Sequence, residues 1–465
     1  MKVLLTHAYF LHEDARELLI MKPYPPLGIL SISAYLKQAG VDTRVFDATF
    51  SNAVDQHACI LEILPDVLAV YTNLMTKVNV LKLIQWVRKQ PLLASCRIVL
   101  GGPDIRYNVE NYLGAGADFL VIGEGEQTML ELIKYLDSKA ASLPDSVPGL
   151  AFYGEEHGLV MTAERSKLKD LDALPLPDRS SIPMEKYLSA WKQHHGKSTL
   201  SISTQRGCPY TCKWCSTAVY GQSYRRRSPE SVAAEIEGLL HTYKMDALWF
   251  VDDVFTVSHK WLYEFRDALS RRSLRVPYEC ITRADRLNEE VLRLLKQTGC
   301  FRVWIGAESG SQAVIDRMDR RVDVLHVREM IRKAEEIGLE AGTFIMLGYP
   351  GETKADLNET MKHLKYALPS WFTITVAYPI RGTALYAEIA DDMVAPDWSS
   401  STDRAIEFKR TYPRKFYTWA VRWIVNGVEA ERYLRSGSFL SMAFIKRKSK
   451  ETFARWVMQL YYLRA

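Results

Sequence analysis

TLSISTQRGCPYTCKWCS spans Thr199 to Ser216, and its first seven residues read as a buried strand that runs straight into three cysteines. Gly207 and Pro209 break the strand and hold the cysteine-bearing residues as a loop. Cys208, Cys212 and Cys215 place three of the chain's seven cysteines in eight residues. Thiolates are soft ligands, suited to zinc or to iron–sulfur clusters. A structural zinc takes four protein ligands. Here no fourth cysteine is near, and only His194 and His195 stand close enough in the chain to complete such a set. An iron–sulfur cube offers another solution, because three cysteines hold three irons and leave the fourth iron open. The compact loop argues against three idle thiols; an iron cluster and zinc both stay open on spacing alone.

Outward from this loop runs a regular alternation. TLSISTQ (199–205), ALWFVDD (247–253), YECITRA (278–284), RVWIGAES (302–309), EAGTFIMLG (340–348) and WFTITVAYP (371–379) read as strands. Amphipathic helical stretches separate them, from PESVAAEIEGLLHTY to KADLNETMKHLKYAL. Strand–helix alternation with continuous apolar strands builds a parallel sheet. Six such units predict a partial (β/α)6 barrel of the TIM type over 198–395, with a flat doubly wound sheet as the alternative. In either case the polar residues at the strand ends gather on one face.

The first 140 residues have their own alternation. VLLTH (3–7), TRVFD (43–47), DVLAVYTN (66–73), RIVLGGPD (97–104) and DFLVIGEGE (118–126) read as strands; LGILSISAYLKQAG, VNVLKLIQWVRKQ and QTMLELIKYL read as helices. This predicts a doubly wound, Rossmann-like α/β domain over 1–140, whose ligand sits at the carboxyl ends of the strands. GxGxxG is absent, so a dinucleotide has no support. Residues 141–197 are rich in proline and polar turns and read as a linker with a small hairpin near 149–162.

With 465 residues, 48% of them hydrophobic and 25% charged, the chain has a globular balance and room for more than one domain. No run of about twenty apolar residues predicts a membrane span. An odd cysteine count without secretory features fits reduced thiols and a cytoplasmic location. The net charge of +5 is uneven. Residues 401–465 hold 14 Lys and Arg against 5 Asp and Glu, a net of +9, so the first 400 sum to −4. The region 396–465 therefore reads as a basic, aromatic helical extension. It is either a solvated cap or a surface for an anionic substrate, a partner or a membrane. Nothing points to nucleic acid.

CPYTCKWC fits CxxxCxxC with an aromatic before the third cysteine, and resembles the radical S-adenosylmethionine (SAM) superfamily. YRRRSPESVAAEI, WFVDDVFT, IGAESGSQAVIDRM, MLGYPGET and YPIRGTALY come in the order and spacing of its cobalamin-binding group. PPLGILSISAYLKQAG, VLGGPD and VIGEGE resemble that group's N-terminal domain, and FKRTYPRKFY faintly resembles the tail of the anaerobic protoporphyrin-ester cyclase branch. The resemblance implies that Cys208, Cys212 and Cys215 hold a [4Fe–4S] cluster whose open iron binds the amine and carboxylate of SAM. One electron then splits SAM into methionine and a 5′-deoxyadenosyl radical that abstracts hydrogen from the substrate.

The same resemblance implies roles by position. Trp214 is placed to pack on adenine. Asp252 or Asp253 is placed to accept from the methionine ammonium, the other capping a segment near Ser258. Arg283 would pair with the methionine carboxylate. Glu308 and Ser309 would bind ribose or the ammonium, the main chain at Met346 and Gly348 would flank adenine, and Tyr378 would face substrate as the candidate catalytic residue. Arg225 to Arg227 read as a solvated charge run. For cobalamin, Leu27 and Gly28, Thr72 and Asn73, Gly101 and Gly102, and Glu124, Gly125 and Glu126 form the expected cradle, glycine allowing backbone to approach the corrin. DxHxxG is absent, and neither His7 nor His12 fits the pattern of a cobalt-binding histidine. Three functions compete: cobalamin-dependent methylation of an unactivated carbon; a radical cyclase, oxidase or dehydratase without methyl transfer; and a non-catalytic corrinoid or cluster sensor. The expected partners are an amphiphilic or anionic small molecule, a one-electron donor such as flavodoxin or ferredoxin, and peripheral membrane contact through the C-terminal region.

Overall fold

The computed structural model describes residues 1–138, 144–154, 158–394 and 397–462. The domain boundaries expected near 140 and at 395–396 lie outside those residues.

Five strands of the N-terminal half run parallel: β1 (Lys2–His7), β2 (Asp42–Phe46), β3 (Val67–Tyr71), β4 (Arg97–Gly101) and β5 (Phe119–Val121). The expected hairpin is present as β6 (Leu150–Gly154) and β7 (Gly158–Met161). It is no free-standing linker element: β6 pairs antiparallel with β5, extending the sheet to seven strands in the order β2-β1-β3-β4-β5-β6-β7. Strand side chains alternate between two apolar layers. Leu5, Ala69, Val99 and Val121 face helices α1 (Leu27–Gln38) and, later in the chain, the helix Gly125–Asp137. Leu4, Leu68, Val70 and Leu100 face α2 (Ala53–Ile63) and α3 (Lys77–Arg88). This is the doubly wound arrangement that the sequence pattern predicts. The helix Gly125–Asp137 is α4.

The second sheet has six parallel strands in strict sequence order: β8 (Thr199–Ile202), β9 (Ala247–Phe250), β10 (Tyr278–Thr282), β11 (Cys300–Glu308), β12 (Glu340–Leu347) and β13 (Trp371–Val376). Each falls on a predicted strand. β8 and β13 remain edges, so the barrel is partial. Five of its helices come from predicted amphipathic segments: α6 (Pro229–Thr242), α7 (His259–Arg271), α8 (Glu289–Gln297), α9 (Val324–Ile337) and α10 (Lys354–Ala367).

Several helices fall outside the expected ones, among them Ala15–Ile20, α2, Val109–Gly114 and Gln312–Arg317; the longest lies just before the barrel. α5 (Met184–His195) lies inside the presumed linker, its MEKYLSAWKQHH pattern masked by flanking proline and polar residues. Met184, Tyr187 and Leu188 join the barrel core, while the Tyr187 hydroxyl donates to Asp47 (2.7 Å) and the Trp191 indole to the Pro23 carbonyl (2.6 Å). α5 thus binds the two sheets together. The C-terminal region forms two long helices, α11 (Arg414–Arg435) and α12 (Met442–Tyr462), with α11 packed on α10 through Phe416, Ala420 and Ile424. Among the described residues, no helix is long and apolar enough to cross a membrane.

Candidate functional site

The cysteine loop leaves β8 through Gln205–Gly207. Gln205 and Arg206 pair antiparallel with Arg225 and Arg226, so the loop departs and returns at one point. Gly207 has φ +82°, and a Cβ there would sit 2.4 Å from the Ser223 hydroxyl; glycine is required for this close return. The loop is pinned to the barrel mouth by Lys213 N–H to the Met318 carbonyl (3.1 Å), Leu385 N–H to the Lys213 carbonyl (2.9 Å) and Thr211 to Asp319 (2.8 Å).

All three cysteines are free thiols. Burial pushes the Cys208 thiol up, and Cys215 is pushed to about 12, first by burial and then by Asp253, Cys208 and Cys212. The sulfurs are therefore neighbours, and a metal would take them as thiolates, with release of protons. Among the described residues no three His, Cys, Asp or Glu side chains converge as ligands of one ion do. His195 is turned away from such a set, its ring bonding the carbonyls of Ile20 and Met21 (3.0 Å each). Three neighbouring thiols suit a cube in which each sulfur takes its own iron.

Cys212 has two buried guanidiniums on its sulfur. Arg283 Nη1 lies 3.5 Å and Arg320 Nη1 3.7 Å from Sγ. Arg283 is further held by Asp285 (2.9 Å), the Arg320 carbonyl (2.7 Å) and the Tyr210 ring (3.8 Å). The sequence places Arg283 here but does not single out Arg320, which sits in the run RMDRR. The signal lay in Gly306: a Cβ there would overlap Arg320 Nη2 at 2.3 Å, so the glycine of IGAES admits the guanidinium. Glu308 lies 3.5 Å from Arg320, with φ +62°, a left-handed backbone that is costly for a non-glycine residue. Burial raises its carboxyl, against the opposing pull of Arg320 and Arg283.

The aspartate pair divides. Asp252 is wholly enclosed and accepts from Thr204 N–H (2.8 Å), Gln205 N–H (3.2 Å) and the Thr204 hydroxyl, tying the end of β8. It caps nothing near Ser258, whose own hydroxyl accepts from Trp261 N–H (3.2 Å). Asp253 opens to the mouth, yet so much protein surrounds it that its carboxyl is raised by burial and by Asp252. Ser309 is buried on Thr360 (3.2 Å) and accepts from Ser311 N–H (3.2 Å), so its hydroxyl is occupied within the protein. Trp214 packs against the barrel core with Arg320 5.6 Å from its ring centre. Gly348, at φ +77°, donates its N–H to Glu352 (2.5 Å), whose carboxyl burial lifts to about 8. Met346 lies beside it, half-buried on β12. Tyr378 is half-buried with Arg404 over its ring at 5.9 Å.

Arg225 to Arg227 are not a solvated run. Arg225 pairs with Glu124; Arg226 stacks on Trp261 at 3.4 Å; Arg227 pairs with Glu235. Each finds a partner from another element, which a local charge pattern does not show.

A cavity of about 590 Å³ opens at the carboxyl ends of β1, β3, β4 and β5. Leu27, Gly28, Asn73, Gly101, Gly102, Glu124, Gly125 and Glu126 line it, together with Arg404 and Arg206. It continues inward between Leu5, Ala69, Val99 and Val121 on the sheet and Ile29, Ile32 and Met129 on α1 and α4. Thr72 lies behind the wall: a Cβ on Gly102 (φ +117°) would meet the Thr72 carbonyl at 2.3 Å. Asn73 spends its side-chain oxygen on Met75 and Thr76 N–H groups (2.9 and 3.0 Å), shaping the turn into α3. Glu124 and Glu126 both bind Arg206, the residue two before Cys208. His7 has neither ring nitrogen free, with Nε2 on Asp47 (3.0 Å) and Nδ1 accepting from Tyr9 N–H (3.2 Å). The glycine-lined wall and apolar depth suit a broad flat ring with a tail.

Residues 202–364 match the radical SAM superfamily, and residues 20–133 match the B12 binding domain. The chain therefore carries a radical SAM domain and a B12 binding domain. The pair of domains makes it a radical SAM enzyme whose cofactors are a [4Fe–4S] cluster, SAM and cobalamin. It is 27% identical to an uncharacterized methyltransferase, PH0819, of Pyrococcus horikoshii, over 81% of this chain and 82% of that protein. It is 25% identical to the anaerobic magnesium-protoporphyrin IX monomethyl ester cyclase of Rubrivivax gelatinosus, over 86% and 72%. The cobalamin-dependent SAM radical enzyme OxsB shares the fold, with a TM-score of 0.74 over 99% of this chain and 72% of that one, at 16% identity.

Proposed function

We propose that this protein methylates an unactivated carbon of a small molecule in the cytoplasm, using cobalamin beside a radical SAM centre. When bound, the cluster and SAM supply a 5′-deoxyadenosyl radical and cobalamin supplies a transferable methyl group. One observation carries the reading. Arg206, at the base of the cysteine loop, lines the 590 Å³ cavity and pairs with two carboxylates of its wall, so the corrin site and the cluster loop share a boundary. A substrate lying there meets both. The relative named a methyltransferase is in accord.

On this reading residues 1–140 serve cobalamin and 198–395 serve SAM and the cluster, with 141–197 joining them and 396–465 forming the basic aromatic extension. Asp253 and Glu308 accept from the SAM ammonium and ribose; Trp214 and the main chain at Met346 and Gly348 flank adenine; Arg283 and Arg320 balance the thiolate charge at Cys212. Gly101 and Gly102 admit the corrin, and Tyr378 with Arg404 faces substrate. A flavodoxin- or ferredoxin-like donor supplies the electron, and the basic C-terminal region makes peripheral membrane contact.

Similarity to the cyclase favours a second reading, radical ring closure or oxidation without methyl transfer. Anaerobically reconstituted protein is expected to contain iron, sulfide and corrinoid, and to release 5′-deoxyadenosine on reduction. Cys212→Ala should abolish that release. Comparing extracts of wild type and Cys212→Ala by mass spectrometry then identifies a metabolite made only by wild type. A product heavier by one methylene than its precursor supports methylation; a product of unchanged carbon count selects the second reading. Reconstituted protein holding zinc and no iron would overturn both.

A further inference from the structure

α12 has two apolar faces, and only one is used. Ala454 and Met458 are buried against α11, as is Glu451, the helix's only acidic residue, which Lys365 (3.2 Å) and Lys448 (2.7 Å) neutralise. On the opposite side Met442, Ile445, Phe453, Trp456 and Leu460 recur at i, i+3, i+11, i+14 and i+18, with Ser449 the one polar interruption at i+7. This stripe faces solvent: Met442 is 81% exposed, Trp456 59% and Phe453 54%. Exposed apolar residues are ordinary singly, whereas a continuous helical stripe marks a contact surface.

The stripe's flanks are cationic. Lys446 and Lys450 run along one side and Arg455 along the other, all exposed and without an acidic partner among the described residues. The patch continues across α11, where Trp419 meets Phe453 edge-on with ring centres 5.6 Å apart, and Arg422 covers Trp419 at 4.5 Å. Leu440, just before the helix, is 81% exposed.

We infer that this face docks on an anionic lipid surface, with α12 lying in the plane of the interface. The reading extends the membrane contact proposed above and is independent of which radical reaction the barrel performs. An apolar stripe edged by unpaired lysines lets the rings enter the acyl boundary while the ammonium groups remain at the headgroups. A second copy of this chain is the weaker occupant. A two-fold contact sets the same cationic flanks against each other, while an anionic leaflet complements them.

The test is co-sedimentation of the anaerobically purified full chain with vesicles of phosphatidylcholine alone and of phosphatidylcholine mixed with phosphatidylglycerol. Binding to the mixed vesicles, with a blue shift in tryptophan emission and release by salt, is expected. Lys446→Glu/Lys450→Glu should weaken it by roughly tenfold or more. Trp456→Glu, on the exposed face, should abolish it with unchanged circular dichroism. No binding to either vesicle overturns the proposal. So does binding that the variants leave intact, or a concentration-dependent dimer that Trp456→Glu dissociates while vesicles go unbound. Product analysis on detergent-free enzyme tests the radical reaction separately, so the two readings fail independently.

Discussion

Glu352 lies wholly buried beneath Gly348, with Oε2 accepting the Gly348 N–H at 2.5 Å and Oε1 meeting no donor among the described residues. Burial lifts its carboxyl to about 8. Between the ordinary glutamate range and that value, the folded protein holds a proton that the unfolded chain releases. Stability therefore falls as pH rises through this window. Glu352→Gln keeps an acceptor for Gly348 and stays neutral throughout. Its advantage over wild type is expected to grow from about pH 5 to about pH 8, by on the order of a few kcal/mol. Urea midpoints at both ends measure it; parallel pH profiles would mean that Glu352 is already ionised in the fold. The sequence displayed this residue in MLGYPGET, yet its role was invisible there, because burial and a missing donor are properties of its surroundings.

Between elements, the contact that matters most to the site joins the cysteine loop to the start of α4. Arg206 bonds Glu126 and Glu124, and Arg225 adds a second guanidinium to Glu124. All four side chains are nearly buried, where removing one partner strands a charge. Arg206→Met is expected to destabilise the protein by about 3 kcal/mol, and Arg206→Met/Glu126→Leu to recover much of that loss. A double-mutant cycle from urea unfolding reads the coupling; simple additivity of the two losses would show that the pair contributes no coupling energy. Cysteine spacing and strand alternation were legible from residues a few positions apart. Arg206 and Glu126 are 80 residues apart, and no local pattern links them.

Across the whole molecule, the segment after the barrel straps the two sheets together. Asp403 pairs with the fully buried Lys77 of α3 at 3.7 Å, and Trp398 covers that ammonium at 5.2 Å while meeting Tyr112 edge-on at 4.9 Å. Beyond β13, Gly382 passes so near the Tyr107 ring that a Cβ would approach within 2.1 Å. Asp403→Asn leaves Lys77 in low dielectric without its carboxylate and is expected to cost about 3 kcal/mol, whereas Lys77→Met/Asp403→Leu should cost less, since it strands neither charge. Equal losses in urea unfolding would show that packing, not charge, fastens the strap.

The order of the strands and of most long helices, the parallel sheets and the cysteine trio were determined by the sequence alone, since each depends on residues close along the chain: apolar periodicity, a glycine stop, a fixed cysteine spacing. Tertiary structure alone decided which polar groups remain open toward the cavity. It turned Asp252 and Ser309 inward, paired Glu124 and Glu126 with Arg206 and Glu124 with Arg225, joined the hairpin to the first sheet and brought Arg320 onto the Cys212 sulfur. Partners of buried charges are chosen by proximity in space, and a chain of 465 residues does not write that proximity into neighbouring letters.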